Sequence, residues 1–572
     1  MNTYRARKPL QLITLFLLTG FAMSARAELR LLASATSDSY QSLTFGLSGF
    51  CQAAGFPFAL TEINDTASEL LLIPNLAGID VQQRLWLFWL ADEQKNHQLT
   101  NFVSVAVLPT TDFARTTMRA LTNAYPVVRT EEGRVPFWQL SQHTDPLAPQ
   151  KEAARELYVA VRRSTVYVSA SREALLWAAS RALPASPADA EAAAGQVRFE
   201  IQPAAITSLL KEYSSPSEGS ARLNKIAARV LADIRALSLA LEIKTGGITA
   251  RLAVTPEPDS RLTALIQRMH PPAEALWKIF PDQAAVAVAS GDADLWSIME
   301  TDDTNQAVRA RTAKHLLGDC LTRDSAIYIS RTSATGALYY AQIWGITNRD
   351  IAWNRARADP LALLPFDTSF RFVTNQMRTV YQTPVLDLVR SGFVARADSA
   401  QNVASMTAFI FRDGCVSLAA TSNHLALTFG PSSAIEQVLL RLKNPPLQAS
   451  LPARCRRLLP DLPDTACAAA LLQPAELVSQ IAASLPGSQT EPLSALPLPD
   501  TGIAATAARD KTNNMLRLTL CISADEVSRM QATLSKGQTA LQELFMLMAL
   551  QQMLRGGPQL DLPDPRDPHR QP

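Results

Sequence analysis

The 572-residue chain lacks the short motifs that mark the common enzyme and metalloprotein families. It has no G-x-S-x-G nucleophile elbow, no H-E-x-x-H zinc motif, no P-loop, no G-x-G-x-x-G motif and no C-x-x-C pair. Its six histidines are scattered without metal-ligand spacing: His97, His143, His270, His315, His424 and His569. These absences argue against a familiar catalytic centre and predict neither a cofactor nor a metal. A hydrolase whose groups converge from distant positions stays open.

Strong charge and long apolar runs are also missing. The formal net charge is only +2, which favours no nucleic-acid partner. Beyond Ala27, no apolar run approaches the roughly 18 residues that a membrane helix needs, so no transmembrane segment is expected after that point. The 47% hydrophobic and 19% charged residues are typical of a globular protein.

The segment 1–27 has the three parts of a secretory signal peptide. A basic segment, "MNTYRARK", precedes the apolar "LQLITLFLLTGFAM", and Ala25-Arg26-Ala27 fits the small-x-small cleavage rule. The alternative is an uncleaved anchor. We expect cleavage, a mature chain that begins near Glu28, and an exported protein that is periplasmic or extracellular.

Cysteine usage leaves two alternatives open. The chain has six cysteines, an even number that is compatible with disulfides in an oxidising compartment: Cys51, Cys320, Cys415, Cys455, Cys467 and Cys521. If all six are paired, Cys51 must bond to a cysteine of the second half. Otherwise one or two bridges coexist with buried free thiols, which pack as small apolar side chains.

Several segments of the chain recur in the same order. A Gln-Pro-Ala segment has its proline at Pro203 and again at Pro474, and a strand followed by a helix recurs with Ala174 matched to Ala434. Arg251-Leu252 recurs as Arg517-Leu518. The separations between the matched positions are similar, and they predict a tandem duplication of about 265 residues.

The expected fold class is α+β, a tandem duplication of a unit in which an antiparallel sheet packs with helices. Alternating strands joined by short turns recur in both copies, and each copy continues into helical patterns. The predicted boundaries are a signal peptide (1–27), a first unit (28–278) with a subdomain break near 184–195, and a second unit (279–555) with a break near 443–465. Residues 556–572 are predicted to be a disordered tail.

One pair of motifs resembles a known signature. Ser208 and Lys211 form Ser-x-x-Lys, and Lys244-Thr245-Gly246 follows, as in serine beta-lactamases and penicillin-binding proteins. The second copy replaces Lys211 with Ala482 and the Gly-Gly turn with Asn513-Asn514. We therefore interpret Lys-Thr-Gly as a tight hairpin turn whose glycines supply positive φ.

Three further segments have two interpretations each. The acidic "SGDADLWSIMETDD" (290–303) is interpreted as a solvated helix start, not a calcium loop. "LWLFWL" (85–90) is interpreted as a buried strand, not a pocket wall. The apolar helix predicted for 541–554 is buried in its own domain or contacts a partner or hydrophobic ligand. Its candidate contact residues are Phe545, Met546, Met548 and Met553.

The leading hypothesis is an exported, non-catalytic binding or scaffold protein of the cell envelope, made of two homologous units. The alternative is a carrier or sensor of a hydrophobic ligand held between the units or under the Met-rich helix. An unrecognised hydrolase is the third hypothesis. The partner is accordingly an envelope protein or a hydrophobic small molecule.

Overall fold

A computed structural model describes the chain in sixteen segments: 29–56, 60–71, 73–92, 102–132, 135–141, 156–181, 197–212, 224, 227–291, 316–333, 336–364, 370–393, 414–445, 450–463, 465–484 and 501–533. The predicted signal peptide, the subdomain break near 184–195 and the predicted tail lie outside these residues. Most of the acidic segment and all of 541–554 also lie outside them.

Strands dominate the described residues. They are β1 (Leu29–Ser37), β2 (Leu85–Asp92), β3 (Phe102–Pro109), β4 (Val127–Glu132), β5 (Val135–Ser141), β6 (Glu156–Arg162), β7 (Thr165–Ser169), β8 (Val197–Ile201), β9 (Ile234–Lys244), β10 (Gly247–Pro256), β11 (Val286–Gly291), β12 (Leu321–Arg331), β13 (Leu338–Ile346), β14 (Phe370–Val380), β15 (Thr383–Phe393), β16 (Cys415–Ala420), β17 (His424–Gly430), β18 (Ala466–Leu472), β19 (Ile503–Asp510) and β20 (Met515–Ser523).

Helices connect and cover these strands. They are α1 (Tyr40–Ala53), α2 (Leu60–Leu71), α3 (Met118–Ala124), α4 (Arg172–Ser180), α5 (Pro203–Glu212), α6 (Arg261–Arg268), α7 (Glu274–Lys278), α8 (Arg349–Ala358), α9 (Ala434–Lys443), α10 (Leu451–Leu458) and α11 (Pro474–Ser484). Helix α12 comprises residues 524–533. In these segments no helix has the length and hydropathy to cross a membrane.

The protein is α+β, with one large antiparallel sheet. Its strand pairings give the order β4-β5-β6-β7-β3-β2-β1-β8-β9-β10-β20-β19-β18-β11-β12-β13-β17-β16-β15-β14. Sheets usually have two to ten strands, so this one is unusually large. The ten strands β1–β10, the first half, have the same order as β11–β20, the second half.

The halves meet at a single strand pair. Strands β10 and β20 are antiparallel, and their register sets Leu252 directly opposite Leu518. These two leucines occupy matching positions of the recurring Arg-Leu segments. The junction is therefore symmetric in register about that leucine pair.

Local sequence explains where the elements begin. Apolar and polar residues alternate on both sides of 162–164 and of 422–423, which predicts a hairpin at each position. The first is confirmed: Arg162 pairs with Thr165, and Arg163 has a φ of 57° in the turn. The second is confirmed by the β16–β17 pairing. Helices α4, α6, α8 and α10 begin after Ser or Asn side chains that accept a backbone N–H from their first turn.

Helices cover both faces of the sheet in each half. In the second half, α9 and α10 pack with Tyr328 and Tyr339 on one face, and α8 packs with Trp344 and Phe429 on the other. The first half has two corresponding cores, one of which packs α4 against Phe88 and Tyr167. Burial on both faces explains why many strands are apolar at nearly every position.

The prediction for "LWLFWL" as a strand is confirmed, with one qualification on burial. Phe88 and Leu90 are buried, whereas Trp89 is half-buried and stacks on Phe199 at a centroid distance of 6.1 Å. This strand therefore belongs to the sheet but leaves two aromatic side chains, Trp86 and Trp89, partly accessible.

The Lys-Thr-Gly segment is a hairpin turn, as predicted, but the predicted role of its glycines is wrong. Neither Gly246 nor Gly247 is among the described residues with positive φ. A Cβ on Gly247 would lie 2.7 Å from the carbonyl oxygen of Ile522, whereas a Cβ on Gly246 would meet nothing within 4 Å. Gly247 is thus required by the close approach of β20, not by the turn.

This difference predicts unequal effects of two adjacent substitutions. Gly247→Ala should lower the free energy of unfolding by about 1–3 kcal/mol, because the added methyl group pushes β10 away from β20. Gly246→Ala should change it by less than about 0.5 kcal/mol. Urea unfolding of the two variants measures both values, and equal effects would contradict the close-approach explanation.

Candidate functional site

An apolar surface lies where the two halves join. Cross-strand pairing places Phe199 opposite Leu239, Leu239 opposite Leu252, and Leu252 opposite Leu518. Residues directly opposite in an antiparallel pair point to the same face of the sheet. The residues that share this face are defined here as the central face: Phe199, Leu239, Leu241, Ala250, Leu252, Leu518 and Leu520.

The side chains of the central face are only partly buried. Six of the seven are half-buried, and Leu520 is 39% exposed. Elsewhere in the sheet, helices bury large side chains such as Tyr328 and Phe429 completely, although Val128 on the edge strand β4 and Met377 on the edge strand β14 are exposed. A contiguous apolar surface that is left partly exposed is typical of a binding site.

Helices pack at both ends of the central face. At one end, Leu262, Leu265 and Ile266 of α6 belong to an apolar cluster that includes Leu252 and Leu518. At the other end, Phe50 and Cys51 of α1 and Val527 of α12 pack with Ile243 and Ile248. The central face therefore lies between the helices at its two ends.

The opposite face of the same strands is polar and ion-paired. Arg251 contacts Glu242 at 3.0 Å and Asp461 at 3.2 Å, and Lys244 contacts Glu242 at 2.6 Å. Arg517 makes the matching contact in the second half, at 2.9 Å from Asp510. The two faces of the junction thus differ in chemistry, and only the apolar face offers an uncharged surface.

These ion pairs shift carboxylate pKa values. Burial opposes ionisation of Glu242, but hydrogen bonds from Lys244 and Arg251 outweigh it and lower the pKa below the usual 4.5. Burial also opposes ionisation of Asp510, and hydrogen bonds from Asn513 and Thr512 with the charge of Arg517 lower its pKa. Both carboxylates are therefore stabilised in their charged form.

A second cluster of titratable side chains lies beneath α9. Arg378 donates from Nε to Asp387 at 2.5 Å, bonds through another nitrogen to Glu436, and donates to the carbonyl of Ser432. Ser417 Oγ donates to the second oxygen of Asp387 at 2.5 Å. Asp387 is 4% exposed and Ser417 is fully buried.

This cluster does not have the features of a nucleophilic site. Its serine hydroxyl donates to a carboxylate, no histidine is among the partners just described, and Ser417 is fully buried. Neighbouring Cys415 is also buried, and burial raises the pKa of its thiol, so it stays protonated. The contacts instead fasten β14, β15 and β16 to α9.

Two histidines approach Asp324. His270 Nε2 is 3.0 Å from Asp324 Oδ1, and its Nδ1 is 3.1 Å from the carbonyl oxygen of Arg268. His424 is partly buried, and burial lowers its pKa although Asp324 opposes this shift. In the part of the chain that the structure describes, no group of three His, Cys, Asp or Glu side chains could hold a metal ion.

The lactamase-like residues do not form a site in the described structure. Ser208 Oγ donates to the carbonyl of Ala204, one turn earlier in its own helix, at 3.1 Å. Lys244 is paired with Glu242 on the polar face of the junction. The structure describes no side-chain contacts of Lys211. These contacts agree with the interpretation of Lys-Thr-Gly as a turn.

All six cysteines are buried and carry free thiols in the structure. Cys51 belongs to the apolar cluster with Phe50 and α12, and Cys455 and Cys521 belong to the core under α9 and α10. Cys320, Cys415 and Cys467 are likewise buried. Buried thiols of this kind pack as small apolar side chains.

The four candidate contact residues of the Met-rich segment, Phe545, Met546, Met548 and Met553, lie outside the described residues. The central face itself was not predicted from the sequence. Its signal was the alternation in "LSLALEI" and "ITARLAV", which indicates one apolar face but does not show that part of it lacks a covering helix.

Comparison with known proteins finds no relative: no family model, no curated protein and no solved structure matches this chain.

Truncation of Asp387 in the Arg378 cluster should cause a large loss of stability. Asp387→Ala should lower the free energy of unfolding by about 3 kcal/mol, because Arg378 and Ser417 lose their buried partner. The control is Gln139→Ala, at the matching position of the β4–β5 hairpin, for which we expect about 1 kcal/mol. Similar losses measured by urea unfolding would show that the cluster does not fasten α9 to the sheet.

The pKa shifts of Glu242 and Glu526 predict opposite dependences of stability on pH. Because folding lowers the pKa of Glu242, its ionised form stabilises the fold above pH 4.5, and this contribution is lost as the pH falls through the folded pKa. Burial raises the pKa of Glu526, so its contribution is present below pH 4.5 and is lost as the pH rises through the folded pKa.

The free energy of unfolding, measured from pH 3 to 7, therefore separates the contributions of Glu242 and Glu526. Relative to the parent chain, Glu242→Gln should lose stability mainly above about pH 4.5, and Glu526→Gln should gain relative stability over the same range. Identical pH profiles for the two variants would contradict the opposite signs.

Proposed function

We propose that this chain is an exported, non-catalytic protein of the cell envelope, built from two homologous α+β units, that binds a partner through the central face. Export is supported by the three-part leader at residues 1–27. The compartment would be the periplasm or the extracellular space. The observation that carries the binding proposal is the row of partly exposed apolar side chains across the junction.

Duplication of one unit is supported by three independent features. The two sets of ten strands have the same order, and the Arg251–Glu242 contact has its counterpart in Arg517–Asp510. Helices α5 and α11 both begin at a proline, and the glutamine before each donates its backbone N–H at 2.8 Å, one to β1 and the other to the residue just before β11. The proposed units are 28–278 and 279–555, which contain β1–β10 and β11–β20 respectively.

The proposed subdomain break near 443–465 contains α10, whose Leu451 and Cys455 are fully buried against the sheet. In this proposal α10 is an insertion that covers the second unit. The Pro-rich sequence around it accounts for the longer connection in that copy.

A binding role is favoured over catalysis by the chemistry of the junction. The central face offers only hydrocarbon, which gives affinity without activating a nucleophile. The charged groups near it, such as Arg251 and Glu242, are paired on the other face of the sheet. An unrecognised hydrolase would need accessible titratable groups that converge on a cleft.

A carrier or sensor of a hydrophobic ligand is the second candidate. It is favoured by the position of the central face between the two units, and by its boundary helices α1, α6 and α12. The ligand would lie against Leu239, Leu241 and Leu520, with Phe199 and Trp89 at the margin.

Native mass spectrometry of the mature protein from the exported fraction distinguishes these candidates. An added mass that is lost on denaturation would favour the carrier and identify the ligand class. A bare mass would favour a protein partner. The same spectrum tests cleavage before Glu28, since an intact leader would contradict processing by export.

The central face can be tested by charge substitution. Leu520→Glu should weaken binding of a hydrophobic partner or ligand at least tenfold, because the carboxylate is desolvated on binding. Leu440→Glu is the control, since Leu440 is 45% exposed on α9. The affinity measured by titration should be unchanged in the Leu440→Glu control. Equal losses of affinity in the two variants would contradict the assignment of the binding site to the central face.

A further inference from the structure

Four buried hydroxyl groups lie in the core beneath α9. They belong to Tyr328 and Ser330 of β12, Tyr339 of β13 and Thr428 of β17, and all four residues are fully buried. Across the described segments, none of the four oxygens has a hydrogen-bond partner. A hydroxyl that is buried without a partner destabilises a fold, so native structures nearly always satisfy such groups with protein or with ordered water.

The strand register places the four side chains on one face of the sheet. Ser330 lies directly opposite Tyr339, and Tyr328 lies in one row with Ala341 and Thr428. Residues directly opposite each other, and residues two apart in a strand, point to the same face. Between Tyr328 and Thr428, the sheet therefore presents only the methyl group of Ala341.

Three of the hydroxyls converge. The rings of Tyr328 and Tyr339 meet edge to face, with their centroids 5.8 Å apart. Burial raises the pKa of both phenols, that of Tyr339 to about 12; Tyr339 raises the pKa of Tyr328 further, whereas Tyr328 and Ser330 oppose the rise in Tyr339. These mutual effects require the hydroxyls to be close together, although no hydrogen bond joins them.

The surroundings of the hydroxyls are mainly hydrocarbon. Phe280 packs against the ring of Tyr328 at a centroid distance of 5.8 Å, and α9 contributes Ile435 and Val438 to the same core. The positive charge of Arg441 acts on both tyrosines, but Arg441 is partly exposed and donates to the carbonyl of Phe280 at 3.4 Å. The three hydroxyls thus form a polar site within an apolar core.

We propose that ordered water occupies this site and bridges the hydroxyls of Tyr328, Tyr339, Ser330 and Thr428, which together define the inner hydration site. A buried water molecule typically makes about three hydrogen bonds, and three hydroxyls converge here. Water can donate to or accept from each of them. A buried anion would need a positive charge of its own, because an unpaired charge is far more costly to bury than a neutral molecule.

The inner hydration site adjoins the Arg378 cluster. Thr428 lies directly opposite Ser417, whose hydroxyl donates to Asp387 at 2.5 Å. Polar groups therefore continue across the sheet from β12 to β15 beneath α9. The core under α4 in the first half contrasts with this, because hydrocarbon side chains fill much of it: Val105, Val107 and Phe137.

The first test is a crystal structure of the full chain at a resolution that shows ordered water. Electron density is expected within hydrogen-bond distance of the hydroxyl oxygens of Tyr328, Tyr339 and Ser330. Crystals soaked in bromide should give no anomalous signal at that position. Direct hydrogen bonds among the hydroxyls with no density between them, or a bromide signal at the site, would overturn the proposal.

The second test is the sign of a stability change. Tyr328→Phe should raise the equilibrium constant for unfolding about fivefold, because the phenol loses its hydrogen bond to water. The matched control is Tyr340→Phe, since Tyr340 belongs to the other core and donates directly to Gln342 at 2.7 Å. An increase of similar size is expected there. A decrease for Tyr328→Phe beside an increase for Tyr340→Phe would show an unbonded hydroxyl and overturn the proposal.

The third test is a double-mutant cycle between Tyr328→Phe and Thr428→Val. The Cα atoms of the two residues are two strand spacings apart, about 9.5 Å, and substitutions this far apart with no shared partner are usually additive. A shared water molecule should make the combined effect on the unfolding constant at least about twofold smaller than the product of the single effects. Additive effects would overturn the bridge between Tyr328 and Thr428.

Discussion

The pairing of β10 with β20 is the contact on which the arrangement of the molecule depends. It joins two ten-stranded sets into one sheet, and its register places Leu252 against Leu518. The two strands approach so closely at Gly247 that a side chain there would not fit: an added Cβ would lie only 2.7 Å from the carbonyl oxygen of Ile522 in β20. The central face exists because this strand pair joins the sheets of the two halves at a place where helices cover the apolar side chains only in part.

The covering helices explain why binding is assigned to the junction and not to either half. Within each half, helices pack on both faces of the sheet and bury two apolar clusters. At the junction, α6 packs at one end of the central strands, and α1 and α12 pack at the other end. Apolar side chains between them remain in contact with water, and burying them on binding is favourable at roughly 25 cal/mol per Å².

Buried polar groups play a structural part in this account. Arg378, Asp387 and Ser417 form a hydrogen-bonded set beneath α9, in which Asp387 and Ser417 are buried and Arg378 is partly exposed. Such a set is costly to break and contributes specificity to the packing of that helix. The position that matches Asp387 in the first half holds Gln139, so the set belongs to one half alone.

The sequence by itself determined the elements and their kind. Alternating apolar residues predicted the hairpins at 162–164 and 422–423, and strand pairs that continue into helical patterns indicated an α+β fold. These are local properties, since side-chain periodicity and capping depend on neighbours within a few residues. Only the tertiary structure decided the pairing of β10 with β20, the close approach at Gly247 and the exposure of Leu520. These depend on strands that lie far apart in the chain, such as the pair that sets Gly247 opposite Ser523, and no local pattern records which side chains a distant helix leaves uncovered.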